Sequence, residues 1–321
     1  FTTFGIGMML GAVLFLGTHS TFFGPIKYAI LPQHLEDDEV LGGTGLVEAG
    51  TYLAILLGTV LAGWISVEGA AIVVLVVAGI GWLAGRAVLP APRLGPKLDI
   101  NYNPFTSSWR LINATMHIPR LFLAICAISF FWTIAAVLIV VFPPLVKNVL
   151  TADERVASLT IAIFSVGVAI GSVVINTLLK GRISAKYAPA SVIAMGVFVT
   201  AFWAESHRFA PAPNSGLYAV SDFLTHPQSV LIMITLAAIA ITGGMFVVPL
   251  YAFLTTTVTK DQTARTVAAN NVVNSGAMVL GSLLVIGLSF AGVPNTDMLL
   301  VVAAMCLVAA WIAQKLHRAC D

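Results

Sequence analysis

Lys27 and Glu48 are the ionisable residues whose surroundings point most clearly to binding chemistry. Lys27 follows Pro25 near the end of one apolar stretch, and Glu48 stands near the start of the next, beside small residues. Because an ammonium group binds phosphate as a point charge, Lys27 is a candidate phosphate ligand; a lysine that extends its charge to a polar boundary is the alternative. Glu48 can form an ion pair with Lys27 or bind the ammonium of a ligand. A zwitterionic ligand would fit such a split pair.

Four further side chains are candidates for the same site. Asn270 and Asn274 share a helical face at a spacing of four, and we interpret them as interhelical hydrogen-bonding residues or, alternatively, as the lining of a cavity. Tyr28, next to Lys27, is included with it. His19 fits a hydrogen-bonded packing residue, with a proton-coupling group as the alternative.

Nothing in the sequence is typical of catalysis or of cofactor binding. It contains no nucleophile elbow, no zinc-ligand spacing and no phosphate-loop lysine motif, and its 3 cysteines are too scattered for a disulfide framework or a metal cluster. The aromatic run 130–132 is interpreted first as a packing stripe and second as a surface for an acyl chain. We therefore expect neither an enzyme nor a bound cofactor or metal.

The composition excludes a water-soluble protein. Hydrophobic residues make up 59% and charged residues 9% of 321, whereas soluble domains carry about 25% charged residues. So few charges cannot cover a surface in water, and lipid must be the outer solvent. The net charge of +2 is too small to suggest a nucleic-acid partner.

Nine segments are long and apolar enough to cross a bilayer, which takes about 20 residues. They lie near 4–31, 46–65, 69–89, 121–145, 157–179, 189–205, 228–257, 267–291 and 297–316.

The positive charges predict the orientation of these spans. Of the 16 Lys and Arg residues, all except Lys147, Arg155 and Arg208 fall on one face when the connections alternate. Since Lys and Arg favour the cytoplasmic side, we predict a multi-pass membrane protein with Phe1 outside and the C-terminus inside.

Two sequence motifs recur six spans apart and in the same orientation. Residues 25–31 (PIKYAIL) match 249–254 (PLYAFL) once Lys27 is treated as an insertion, and 46–50 (LVEAG) match 272–276 (VVNSG). A parallel repeat of six helices indicates two related halves, as in major facilitator proteins.

This repeat predicts the domain organisation. Residues 1–90 are the remainder of an N-terminal bundle, its helices 4–6; 91–119 form a Pro-containing cytoplasmic linker; and 120–321 form a C-terminal bundle of six helices. The expected fold is all-α, with about nine of twelve transmembrane helices present and three preceding Phe1. Bends are expected at Pro25 and at residues 243–249.

Four stretches make the sequence similar to the bacterial lysophospholipid transporter family of the major facilitator superfamily. They are 20–32 (STFFGPIKYAILP), 45–50 (GLVEAG), 128–132 (ISFFW) and 266–271 (TVAANN). The sequence most resembles the members fused to an acyltransferase and an acyl-carrier-protein synthetase. One departure is that 133–141 lacks the Arg that some members carry, so a headgroup role for that Arg does not transfer.

The resemblance implies a secondary or facilitated transporter of the bacterial inner (cytoplasmic) membrane, which moves a lysophospholipid such as lysophosphatidylethanolamine inward by alternating access. The lysophospholipid would then be re-acylated by a fused or separate acyltransferase/acyl-ACP synthetase. Membrane lipids are the other expected partners. Two alternatives stay open: a proton-coupled exporter of amphipathic drugs or metabolites, and a membrane scaffold for acylation enzymes that does not transport.

Overall fold

The computed structural model describes residues 3–91, 102–211 and 216–320, which form helices throughout. Before residue 92 these are α1 (Thr3–Ala29), α2 (Leu31–His34), α3 (Val40–Trp64) and α4 (Val67–Ala87). They are followed by α5 (Pro104–Met116), α6 (Pro119–Asn148), α7 (Glu154–Leu179), α8 (Ala188–Arg208), α9 (Val220–Thr225), α10 (Pro227–Thr256), α11 (Thr263–Phe290) and α12 (Met298–Cys320).

The nine predicted spans are confirmed as long apolar helices within the described part of the chain. The second begins at Val40, six residues before its predicted start at 46. The first turns of this helix are rich in glycine, which lowers their hydropathy, but they pack closely on α7. A Cβ on Gly42 would lie 3.4 Å from Asn176 Nδ2, and one on Gly45 would lie 2.9 Å from the carbonyl oxygen of Ser172. The glycines let α3 approach the backbone of α7.

A large buried core lies among α6, α7, α8, α10, α11 and α12. Its tightest contact is between α7 and α10, where Gly167, Gly171 and Gly244 face the opposite backbone. A Cβ on Gly171 would overlap the carbonyl oxygen of Ile241, so this crossing depends on glycine. Gly167 and Gly171 are four residues apart, the small-xxx-small spacing of close helix pairs in membranes.

Of the helices before residue 92, α1 and α3 contact this core. α3 packs against α7 and α10, and α1 packs against α11. The described side chains of α4 are almost all exposed, as an apolar surface in lipid can be. No hydrogen bond between described residues joins 3–91 to 102–320.

The predicted linker 91–119 contains a helix, α5, which packs on α6 and α11. Pro92, Arg93, Pro96 and Lys97 of this linker lie outside the described residues, as do the terminal residues Phe1 and Asp321. α1 runs through Pro25 and α10 through Pro249 without interruption of the helix; the bends expected there stay predictions.

The loop before α12 contains an acidic group bound from two sides. Asp297 Oδ1 accepts hydrogen bonds from Trp203 Nε1 at 3.0 Å and pairs with His207 Nε2 at 3.0 Å. The hydrogen bond from Trp203, and to a smaller extent that with His207, lowers the pKa of Asp297 below its ordinary value.

Candidate functional site

Lys27 and Tyr28 lie on the side of α1 that faces α3. Lys27 is half-buried; its Nζ donates a hydrogen bond to Thr51 Oγ1 at 3.2 Å and lies 4.8 Å from the centroid of the Tyr28 ring. Tyr28 is buried, and its hydroxyl donates a hydrogen bond to Glu48 Oε1. Both residues of α1 are therefore tied to α3.

Glu48 does not form the direct ion pair with Lys27 that is one of its two predicted roles. Its side chain is buried with 1% exposure and is bound by the Tyr28 hydroxyl, while Lys27 Nζ binds Thr51, one turn further along α3. Among the described residues the ion pairs within 4.0 Å are His207–Asp297 and Arg208–Glu205. Lys27 and Glu48 therefore make no direct ion pair and attract each other only electrostatically over a longer distance. The phenol covers the carboxylate, and the ammonium is left at the edge of the cavity described below.

Tyr251 on α10 is the counterpart of Tyr28. The two rings stack with their centroids 4.6 Å apart and their planes 8° from parallel. The Tyr251 hydroxyl accepts a hydrogen bond from Trp132 Nε1 at 2.9 Å and also interacts with the side chains of Asn270 and Asn274.

Asn274 connects this tyrosine to α6. Asn274 Oδ1 accepts a hydrogen bond from Ser129 Oγ at 2.7 Å. Asn270 is fully buried, and its Oδ1 accepts no hydrogen bond from the described residues. Asn274 has the interhelical role that is expected for this pair, because it is hydrogen-bonded to Ser129 on α6. It also has the alternative lining role, because it borders the cavity described below.

A cavity of about 430 Å³ opens beside the two stacked tyrosines. One of its walls comes from α1 and the other from α11, with aromatic side chains of α6 and α10 between them. It is lined by Ser20, Thr21, Gly24, Pro25, Lys27, Tyr28, Trp132, Tyr251, Ala268, Asn271, Val272, Asn274, Ser275 and Met278. Lys27 is the one charged residue among the described residues of this lining, whose surface is otherwise neutral and mostly apolar. Such a lining suits an anionic group that is attached to an apolar one.

The structure brings five of the six predicted site residues together. Lys27, Tyr28 and Asn274 line the cavity, and Glu48 and Asn270 lie behind the two tyrosines. His19 is exposed, with its ring parallel to that of Phe23 at 6.0 Å between centroids, and does not line the cavity.

Two important residues were absent from the predicted site, and the sequence contained a signal for one of them. The repeat aligns Tyr251 with Tyr28, and it also aligns Asn274 with Glu48. Each half thus places a tyrosine hydroxyl against a polar side chain of its following repeat motif. Trp132 belongs to the run 130–132, which is predicted to pack or to contact an acyl chain. It packs against the core, and its indole N–H also donates a hydrogen bond to the Tyr251 hydroxyl.

A sequence profile of the Major Facilitator Superfamily matches residues 1–282. The chain belongs to the major facilitator superfamily. The chain is similar to curated proteins that carry the name Lysophospholipid transporter LplT. Three of them come from Shigella sonnei (strain Ss046), Escherichia coli O139:H28 (strain E24377A / ETEC) and Shigella dysenteriae serotype 1 (strain Sd197). Each is 27% identical over 335 aligned positions, which cover 98% of this chain and 76% of the relative. This major facilitator chain is a multi-pass membrane transporter rather than an enzyme.

Proposed function

We propose that this chain moves lysophospholipids inward across the inner membrane of a bacterium, with the headgroup bound in the cavity between α1 and α11. The observation that carries the proposal is the position of Lys27 at this cavity, with its ammonium unpaired by any carboxylate of the described residues. The names of the relatives support the same substrate class.

The headgroup phosphate is the group that Lys27 would bind. The ammonium would exchange its hydrogen bond with Thr51 for a charge-assisted contact, while the Asn271 and Asn274 amides and the Trp132 indole border the remaining polar wall. The ethanolamine ammonium would lie toward the tyrosines, where the buried Glu48 provides negative potential. A lysophospholipid has one acyl chain, which could extend past Met278 and Val272.

Alternating access is supported by the way the halves meet. Each half has its own hydrogen bonds at the site: Tyr28–Glu48 and Lys27–Thr51 on one side, Trp132–Tyr251 and Ser129–Asn274 on the other. Between them, the stacked tyrosines and close helix packing provide the contact. Stacked rings can part without leaving a buried hydrogen-bonding group unpaired, as rocking of two rigid halves requires.

Delivery of a lysophospholipid to the cytoplasmic leaflet supplies the substrate of re-acylation. An acyltransferase, fused or separate, is therefore the enzyme partner that we propose. The predicted domains 1–90, 91–119 and 120–321 serve as the two moving halves and the linker between them.

The test is uptake of labelled lysophosphatidylethanolamine into vesicles that contain the protein. A charge-assisted hydrogen bond is worth about 1.5–3 kcal/mol, so Lys27→Ala should weaken the apparent affinity by roughly tenfold or more. Lys27→Arg should retain most of the uptake. Lys260→Ala removes an exposed lysine outside the cavity and serves as the matched control. Unchanged uptake in folded Lys27→Ala would refute the headgroup site, and no uptake by folded parent protein would refute the substrate.

The proton-coupled exporter is the second candidate, because Glu48 is a buried membrane carboxylate of the kind that coupling needs. The two functions differ in their response to a proton gradient. Facilitated lysophospholipid uptake should proceed without one, whereas an exporter should stop when the gradient is collapsed.

A further inference from the structure

α5 is a helix at the membrane boundary that cannot cross it. Its 13 residues reach about 20 Å at 1.5 Å per residue, less than the hydrocarbon thickness of about 30 Å. It follows the span α4 and directly precedes the span α6, so it lies at the membrane face where α4 ends and α6 begins. Pro119 starts α6 three residues after Met116 ends α5, which keeps the two helices at the same level.

One side of α5 is covered by protein. Thr115 is buried, Leu111 and Ile112 are half-buried, and the helix contacts α6 and α11. The helix is also fixed at its start, where Asn103 Oδ1 accepts hydrogen bonds from the backbone N–H groups of Phe105 and Thr106. Its orientation on the bundle is set by its contacts with α6 and α11.

Three exposed aromatic rings lie at the start of α5 and just before it. Tyr102, Phe105 and Trp109 are 89%, 85% and 71% exposed. Phe105 and Trp109 are four residues apart and share a face of the helix, and Tyr102 lies two residues before the helix begins. Three large rings in water would be an unusual surface for a short loop helix, whereas Tyr and Trp are enriched where a membrane meets water.

The charges of this segment favour a lipid surface over a solvated one. Residues 102–120 contain no Asp or Glu, and their two arginines, Arg110 and Arg120, are both exposed. Arginine beside an aromatic stripe at a helix that lies along the membrane is the pattern of an interfacial amphipathic helix, which binds more strongly to anionic lipid.

We propose that α5 lies in the headgroup layer of the bilayer, with Phe105 and Trp109 inserted at the acyl-chain boundary and with Arg110 and Arg120 on the phosphates of anionic lipids. The partner of this surface is thus the lipid leaflet itself. Because α5 also contacts α11, which carries Asn271 and Asn274 of the cavity, the helix attaches one cavity wall to the membrane surface. This inference is independent of the substrate.

The experiment measures where Trp109 lies in vesicles. The whole chain is reconstituted in phosphatidylcholine with or without phosphatidylglycerol, and the contribution of Trp109 is obtained as the difference between the parent and Trp109→Phe. Fluorescence is quenched by lipids brominated near the headgroup, by lipids brominated deep in the acyl chain, and by aqueous acrylamide. Trp311→Phe gives the matched signal of an exposed tryptophan within the span α12.

We expect the Trp109 signal to lose most intensity with the shallow bromines, less with the deep bromines and least with acrylamide. Adding phosphatidylglycerol should increase the shallow quenching in the parent, and this increase should vanish in Arg110→Gln/Arg120→Gln. Strong acrylamide quenching without bromine quenching would overturn the proposal in favour of a water-facing surface. Quenching by none of the three would overturn it in favour of a protein cover, such as a second copy. An absent phosphatidylglycerol response in the parent would refute the arginine contacts.

Discussion

The hydrogen bond between Tyr28 and Glu48 predicts a specific loss of stability when the tyrosine hydroxyl is removed. In Tyr28→Phe the ring can still stack on Tyr251, but a carboxylate with 1% exposure loses its donor. Tyr52→Phe is the matched control, because Tyr52 is also buried, lies one turn beyond Glu48 on α3, and makes no hydrogen bond through its hydroxyl with the described residues.

The size of the effect follows from the burial of Glu48. Interhelical hydrogen bonds in membrane proteins average about 0.6 kcal/mol and reach about 1.7 kcal/mol in double-mutant cycles. A buried acceptor left without a donor costs about 1–3 kcal/mol, and more when charged. Because Glu48 is buried and acidic, we expect Tyr28→Phe to lower the free energy of unfolding by about 2 kcal/mol, with a coupling to Glu48→Gln of about 1–1.5 kcal/mol.

The assay is equilibrium unfolding in mixed micelles of the parent, Tyr28→Phe, Glu48→Gln and the double variant. Tyr52→Phe should cost well under half as much as Tyr28→Phe. The reasoning is refuted if the coupling between Tyr28 and Glu48 falls below about 0.3 kcal/mol, the usual limit of additivity for independent sites. It is equally refuted if Tyr52→Phe costs as much as Tyr28→Phe.

Two further predictions concern the packing of α7 against α10 and the loop before α12. Gly171→Ala should destabilise the protein by about 1–3 kcal/mol, because its Cβ would overlap the carbonyl oxygen of Ile241. The control Gly276→Ala, with open space around it, should raise the free energy of unfolding by up to about 1 kcal/mol. Equal free energies of unfolding for the two variants would contradict the close contact of α7 and α10. Asp297 has a lowered pKa in the folded protein, so its contribution to stability is complete above the ordinary Asp value of about 3.9 and is lost as the pH falls through the lower folded value. Thermal unfolding of the parent should therefore weaken more steeply than that of Asp297→Asn below about pH 4, and parallel curves would count against this pairing.

The membrane spans could be predicted because hydropathy alone decides them. A segment of about 20 apolar residues has no other stable place than a bilayer or a core. The early start of α3 could not be predicted in this way, since Gly42 and Gly45 act through close contact with α7 rather than through hydropathy.

The site was predicted in part because the repeat identified equivalent positions but not their contacts. It aligned Tyr28 with Tyr251, yet their stacking depends on the rotation of α1 and α10 about their axes. Direct pairing with Lys27 is one of the two roles that charge predicts for Glu48, and the Tyr28 hydroxyl binds that carboxylate instead.

The helical period of 3.6 residues is enough to predict that His19 lies away from the cavity. Ser20, Gly24, Lys27 and Tyr28 line the cavity at spacings of four, three and one, which place them on one side of α1. His19 precedes Ser20 by one residue, about 100° around the helix, and packs with Phe23 on the exposed side.

The most direct test of the account is uptake with the two halves held together. Gly42 and Asn176 lie across the α3–α7 contact, where a Cβ on Gly42 would be 3.4 Å from Asn176 Nδ2, and neither residue lines the cavity. Gly42→Cys/Asn176→Cys, placed in a background without the native cysteines, can be closed by a short reducible cross-linker, with each single variant as its control. The account predicts that lysophosphatidylethanolamine uptake stops on cross-linking, returns on reduction and is unaffected in the single variants. Undiminished uptake by the fully cross-linked protein would contradict transport by alternating access between the halves.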